Sequence, residues 1–412
     1  MAGVRSRSLI AEDSAEQLLG GRYVEFLQVH LRRLRSAYDH GNRALFYDQL
    51  VTAYLLAFFN PGVRSLRTLS DFTFSPQGQA FLGTTRMCRS TISDANKLMD
   101  AALLEPLIGE LRRQIPDLNH RDESLGRLLS QIRVVDGSFF AAAADVAFAI
   151  HNRSDKRRST QRSMHHKVRL DLHLDGNCLP VHLVINGSGC SESESAAKRI
   201  DTGVIYIFDR AYIDFKLISL LLSKSADLVL RLTEPINFSA REEQKLDEED
   251  RKAQVMTDCI GQLSGSPHTW RHLPRQELRE VVIFDPDHPD KPIRLITSLM
   301  DLPAHVIAQL YRWRWQIELF FRWLKVHANF RHLMSHNRNG MTMGFYVAVI
   351  AVLLMYLHTR RPMSRYAYNL MAQVASGWAS IEDILPILEA RERECELQRQ
   401  WQKKRRAEKA GK

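Results

Sequence analysis

Two short β-branched runs each close on an aspartate, and this pair most restricts the folds open to the chain. One is Ile132-Arg133-Val134-Val135-Asp136, and the other is Val204-Ile205-Tyr206-Ile207-Phe208-Asp209. Brief apolar runs of this kind suit strands buried on both faces. Between them, Lys167–Leu174 alternates through Val168, Leu170, Leu172 and Leu174, and Leu179–Ile185 follows the turn Asp175-Gly176-Asn177. That pattern predicts a β-hairpin. Ser191–Arg199 reads as a short helix, so the order of elements is that of a mixed α/β sheet.

The flanks differ in texture. Residues 22–130 read mostly helical, with apolar spacing over Arg22–Arg35, Leu50–Phe59 and Ser90–Glu110. Beyond the core runs, Ala240–Arg251 is charged and is expected to be helical or exposed. Glu277–Phe284 and Ile293–Ser298 read as strands on either side of the turn-rich stretch 285–290. Long helices follow over Val306–His327, Gly344–Thr359 and from Ile381 onward. The expected organisation is a helical N-terminal region at 1–130, a first core segment at 131–232 and a β-rich insertion at 233–305. A second core segment at 306–360 and a helical basic tail at 361–412 complete it.

Charge narrows the function classes. Lys and Arg number 57 against 47 Asp and Glu, a net +10 over 412 residues, which favours a polyanionic partner. Arg32, Arg33, Arg35, Arg64, Arg67, Arg86 and Arg89 crowd the N-terminal region, where both a DNA-binding bundle and a solvated one fit. The five cysteines stand in neither C-x-x-C nor zinc-finger spacing, so a reducing compartment is expected. The N-terminal stretch lacks the apolar core of a signal peptide, and the run Met343–Leu357 is short for a membrane span. A soluble cytoplasmic protein with no membrane partner is the expectation.

Aspartates at strand C-termini escape the ladder and are free to face a ligand. The same placement also starts ordinary turns, as Asp285 after Val281-Val282-Ile283-Phe284 illustrates. On the helix 306–327, Leu310, Trp313, Ile317, Phe320 and Leu324 form an apolar seam, while Tyr311, Arg314, Glu318 and Lys325 share a second stripe. Alone, that stripe equally fits a solvated ladder of i,i+4 ion pairs. Together with Asp136 and Asp209, Glu318 could hold two Mg²⁺ ions, since oxygen donors suit Mg²⁺ and no His/Cys set competes. Two such ions stabilise the attacking and leaving oxygens of a phosphoryl transfer.

At these residues the chain resembles the DDE-type transposases of bacterial insertion sequences, insertion-sequence family four. The string Tyr311-x2-Arg314-x3-Glu318-x6-Lys325 is similar to their Y-x2-R-x3-E-x6-K signature. Asp209-Arg210-Ala211-Tyr212 resembles their D-R-G-Y element, and Asp136-Gly137-Ser138 their first-Asp element. The separations of 73 residues (136 to 209) and 109 residues (209 to 318) also fit, as does Arg89–Asn96 as a segment preceding the core. The resemblance implies an α/β fold, a ribonuclease-H-like catalytic core interrupted by a β-rich insertion and flanked by helical regions. It implies catalytic and metal-binding roles for Asp136, Asp209 and Glu318 with Mg²⁺, for which Mn²⁺ can substitute. Arg210, Tyr212, Tyr311, Arg314 and Lys325 would touch DNA. The partners implied are double-stranded DNA, as terminal inverted repeats and target, and a second copy in a homodimer.

Ala211 departs from the usual Gly, which is expected to lower activity at most. Trp270, in the insertion, would either stack on a flipped base or pack in the insertion's own core. Arg153–Arg169 carries seven Lys/Arg against one Asp and fits a DNA track or a solvated loop. The reading is a DNA transposase that cuts element ends and joins 3′-hydroxyls to a target. The alternatives are a domesticated DNA-binding protein and a Mg²⁺ nuclease without strand transfer.

Overall fold

The structure is a computed structural model, and it describes residues 31, 33–35, 45–60, 62–63, 65–115, 126–142, 146, 149–153, 164–233, 236–264, 273–286, 288–327, 333–360, 364–375 and 378–410. Trp270 and most of Arg22–Arg35 and Arg153–Arg169 lie outside them. The chain divides into two units: residues 1–116 with 323–412, and residues 117–322.

The first unit is helical. Its helix Tyr47–Phe59 is buried at every position, and Arg338–Thr359 is nearly as enclosed. That second helix is long and apolar enough to cross a membrane, but 89% of its apolar window is buried inside the protein, as in a core helix. Asn339 fixes its start by donating to the carbonyls of Asn96 (2.9 Å) and Met99 (2.6 Å) and accepting from the Ala101 amide (3.0 Å). The helix expected over Ser90–Glu110 is broken: Arg89–Leu98, a 3₁₀ turn Ala101–Leu104, then Glu105–Gln114. Asp100 caps the middle piece by accepting from Ala102 (3.0 Å). Some N-terminal arginines are committed to local contacts: Arg35 pairs with Asp48 at 3.4 Å, and Arg86 lies 3.7 Å over Phe74.

The second unit is built on one ten-stranded sheet. Its strands are β1 (Ile132–Ala141), β2 (Ile150–Arg153), β3 (Met164–Asp175), β4 (Pro180–Asn186), β5 (Ile205–Phe208) and β6 (Asp227–Arg231). They are followed by β7 (Asn237–Glu243), β8 (Val255–Ser264), β9 (Leu278–Ile283) and β10 (Ile293–Thr297). β3 and β4 form the expected hairpin, and β1 runs antiparallel to β3. β5 and β6 then run parallel to β1 in the order β4-β3-β1-β5-β6. β10 pairs antiparallel with β6, and β9, β8 and β7 continue the same sheet outward. Ala240–Glu243 is therefore strand, and the short helix there, Glu248–Lys252, begins only after the Asp247 cap.

Helices cover both faces. On one side α1 (Glu192–Ala197) and α2 (Phe215–Ser223) pack on Val135, Tyr206, Phe208, Leu228 and Leu230 through Ala196, Leu217, Ile218 and Leu221. By strand alternation the neighbours Val134, Ile207 and Val229 face the opposite side. There α3 (Ala304–Trp313) packs on β5 and β6, and α4 (Trp315–Arg322) on β1. The helix expected over 306–327 thus bends at Arg314, and a π-helical turn, Trp323–His327, follows α4.

Candidate active site

The parallel register sets the site. β1 and β5 align Val134 with Ile207, and β5 and β6 align Phe208 with Leu230. Continuing both registers puts Asp136, Asp209 and Arg231 at one level on three adjacent strands, on the face that α3 and α4 cover. Asp136 does not end its strand as expected. β1 runs on to Ala141, because β3 pairs with it as far as Lys167. What ends at that level is β5, so Asp209 leaves the ladder while Asp136 stays in it. Each carboxylate accepts the amide of the next residue: Gly137 to Asp136 at 2.8 Å, and Arg210 to Asp209 at 2.6 Å.

α3 and α4 bring the remaining groups. Tyr311 lies in the last turn of α3 and is 7% exposed. Arg314, at the bend, donates to Glu318 on α4 at 2.6 Å, with side chains 13% and 32% exposed respectively. The stripe is therefore not a solvated ladder. Its apolar companions Leu310, Ile317 and Phe320 are buried as the seam requires. Lys325 falls in the π-helical turn and belongs to the helical unit.

The electrostatics are those of underpaid negative charge. Burial raises the Asp136 carboxyl from 3.8 to about 7; the bond from the Gly137 amide and the charge of Arg314 oppose the rise, and Asp209 and Glu192 add to it. Burial also raises Tyr311, with Arg314 pulling it down and Asp209 pushing it up. An oxygen-donor group whose members repel each other at neutral pH is chemically matched to a hard divalent cation. Among the described residues, a different cluster already has its ligand atoms within 4.8 Å: Asp247, Asp250 and His305. There Asp250 accepts from the His305 amide at 2.8 Å and Asp247 from the Asp250 amide at 2.7 Å, a cap that joins a helix to α3.

Arg210 is exposed at the rim, whereas Tyr212 is 1% exposed with its ring 5.1 Å from Phe208. Burial pushes the Tyr212 hydroxyl well above its ordinary value, and the charges of Asp171, Asp136 and Glu192 add to the rise. Ala211 is exposed in the turn Arg210–Tyr212 and is not one of the residues with positive φ, so its methyl group meets no backbone penalty.

Several neighbours escaped the sequence reading. Arg231, Lys291, His288 and Asp285 join Asp209 and Arg210 around a cavity of about 390 Å³. Asp285 does start a turn, with His288 donating to its carbonyl at 3.2 Å, but that turn also walls the cavity. Arg231 closes the run Leu228-Val229-Leu230 just as the aspartates close theirs, which was a readable signal. Glu192 carried no such mark.

Two aspartates at one level on adjacent parallel strands, a glutamate on the helix that covers that face and a cationic cavity beside Asp209 suit the handling of phosphodiesters. Residues 127–354, more than half of the chain, match the family model for the transposase DDE domain. A Sinorhizobium fredii protein named as a transposase is 25% identical over 271 residues, covering 65% of this chain and 71% of its own. A Geobacillus stearothermophilus protein named as the transposase of insertion sequence element IS5377 is 30% identical over 158 residues, 37% of this chain and 39% of that one. A Synechocystis protein named as the transposase of element IS4SA is 34% identical over 84 residues, 19% and 24% of the two chains. The chain belongs to the DDE transposase family and is an enzyme acting on DNA, a transposase of the insertion-sequence kind.

Proposed function

We propose that this transposase cuts at the ends of its element and transfers the 3′-hydroxyl ends to target DNA, with Asp136, Asp209 and Glu318 as its catalytic carboxylates. The observation that carries the reading is the shared level of Asp136 and Asp209 on neighbouring parallel strands, faced by the helix that bears Glu318. The strand order β4-β3-β1-β5-β6, with β1, β5 and β6 parallel and β3 reversed, supports a ribonuclease-H-like core. The strands within 233–305 are then the insertion and 306–360 the second core segment, of which 323–360 group with the helical unit.

Divalent-metal dependence comes with the family. We take the metal to be Mg²⁺, with Mn²⁺ able to substitute, held by these three residues; when bound it supplies charge stabilisation for the attacking and leaving oxygens. The protein's own part is positional. Arg314 holds Glu318 in place and offsets the charge on Asp136. Arg210 and Arg231 line the cavity next to Asp209, where guanidinium forks suit phosphate oxygens. Tyr311, Arg314 and Tyr212 stay in the reading as DNA contacts on the resemblance alone; both tyrosines are buried in this structure. Lys325 stays in the reading as a phosphate contact on its spacing alone, and the N-terminal helices as a DNA-binding region. The partners are double-stranded DNA and a second copy of the chain, in the cytoplasm and at the nucleoid.

The test is cleavage of a plasmid carrying the element's ends, with Mg²⁺, by wild type and Glu318→Gln. End-specific cuts and joined products from wild type alone are expected. Equal cutting by both proteins removes Glu318 from the site. Cuts without joined products would reassign the protein as a nuclease.

A further inference from the structure

Glu192 opens α1 on the far face of the sheet, yet its carboxylate reaches β1. It does so across Gly137, the residue after Asp136. A Cβ built on Gly137 would stand 3.2 Å from Glu192 Oε1 and 2.7 Å from Asp171 Oδ1. The missing side chain is the gap through which Glu192 approaches the strand.

The approach is anchored by buried groups. Arg169 on β3 donates through Nε and Nη2 to the two oxygens of Asp171, at 2.6 and 3.0 Å, and through Nη2 to the Ser191 carbonyl at 3.0 Å. Asn186 on β4 donates to Asp171 at 2.5 Å and to Ser195 on α1 at 2.7 Å. Ser191 and Glu194 cap the helix reciprocally, at 3.1 and 2.9 Å. Arg169, Asp171, Asn186 and Ser195 are all buried, so the start of α1 is tied to two strands. Arg169, the cation whose charge acts on Glu192, has Nε and Nη2 already engaged with Asp171.

A second observation points to an occupant. The Tyr212 hydroxyl is fully enclosed and has no hydrogen-bond partner, although the charges of Asp171, Asp136 and Glu192 all act on it. A buried hydroxyl left without a protein partner is the kind of group that an ordered water satisfies.

We propose that Glu192 is a fourth carboxylate of the divalent-cation pocket, facing Asp136 and Asp209 across Gly137, with the Tyr212 hydroxyl donating to a water between them. The inference rests on the metal-binding reading of Asp136 and Asp209. Its role is that of an outer partner, whose loss typically weakens metal binding ten- to a hundredfold.

Mn²⁺ binding to the full-length protein without DNA, followed by electron paramagnetic resonance of the free ion, tests it. Melting temperatures of each variant report on folding. Glu192→Gln is expected to weaken binding about tenfold and Tyr212→Phe by less, while Asp209→Asn removes the site. Wild-type affinity in Glu192→Gln, with binding lost in Asp209→Asn, overturns the inference and leaves the metal site standing. Wild-type affinity in Asp209→Asn as well overturns the metal-binding reading itself. If Glu192→Gln does not fold, Tyr212→Phe decides: unchanged affinity there overturns the proposal.

Discussion

Arg314 donates to Glu318 at 2.6 Å across the bend between α3 and α4, and the same guanidinium lowers the proton affinity of Asp136. One cation therefore serves two carboxylates. Arg314→Ala is expected to reduce end cleavage by about 10²-fold or more, as for loss of a preorganised charge partner. It should also move the acid limb of the pH–rate profile to higher pH, because Asp136 then holds its proton longer. Arg314→Lys retains charge without the fork and should fall between. A loss of only a few-fold with no shift in the limb would reduce the pair to a surface ion bridge.

Asp136 makes an opposite demand on stability. Its folded carboxyl titrates at about 7 against 3.8 when unperturbed, so the unfolded chain ionises first and folding is penalised as pH rises through that window. In EDTA, Asp136→Asn should raise the melting temperature by a few degrees at pH 8 and leave it unchanged near pH 4. Equal melting of the two proteins at pH 8 would show that burial of this carboxylate carries no penalty.

His173, buried on β3 beside His182 and Tyr206, works in the other direction. Burial, with positive charge from His182, Arg133 and Arg199, lowers it from 6.5 to about 3. Its neutral form belongs to the folded state, so its contribution is complete above about 6.5 and declines by about 1.4 kcal/mol per pH unit below. Urea midpoints at pH 7, 6 and 5 should fall less steeply in His173→Leu than in wild type. Parallel slopes would place the acid sensitivity elsewhere.

Arg279 on β9 is bonded to Asp258 on β8 at 2.7 and 2.6 Å and also donates to the carbonyls of Leu299, Met300 and Leu302, just ahead of α3. Both side chains are buried, so Arg279→Ala leaves Asp258 uncompensated and should cost about 3–5 kcal/mol in urea unfolding. Because α3 carries Tyr311, cleavage should weaken even under conditions where the variant is folded. Full activity in a destabilised variant would confine the pair to structure.

Which parts were legible follows from the range of the interactions. β5, the β3–β4 hairpin and the buried helix read at 344–359 announce themselves by local pattern, since burial on one or both faces leaves its period in the sequence; that helix in fact starts at Arg338. The end of β1 does not, because Gly137-Ser138-Phe139-Phe140 stays in the ladder only where β3 is present to pair with it. The break at Arg314 is equally silent: the apolar seam runs straight through it. Glu318, Asp136 and Asp209 stood out by spacing and resemblance. Arg231 closes its run as the aspartates do, but its place beside Asp209 comes from strand register, and that of Glu192 beside Gly137 from the packing of α1 on β1; no local pattern encodes either.

The hydrogen bonds between β10 and β6 have a mechanical consequence. Strands β7 to β10 are not a lobe on a tether but the outer half of the plate whose inner half bears Asp209 and Arg231. A load applied to the 285–291 turn reaches the carboxylates as shear within one sheet, over the width of two strands. Paired strands alone join that turn to the aspartates, with no intervening hinge loop.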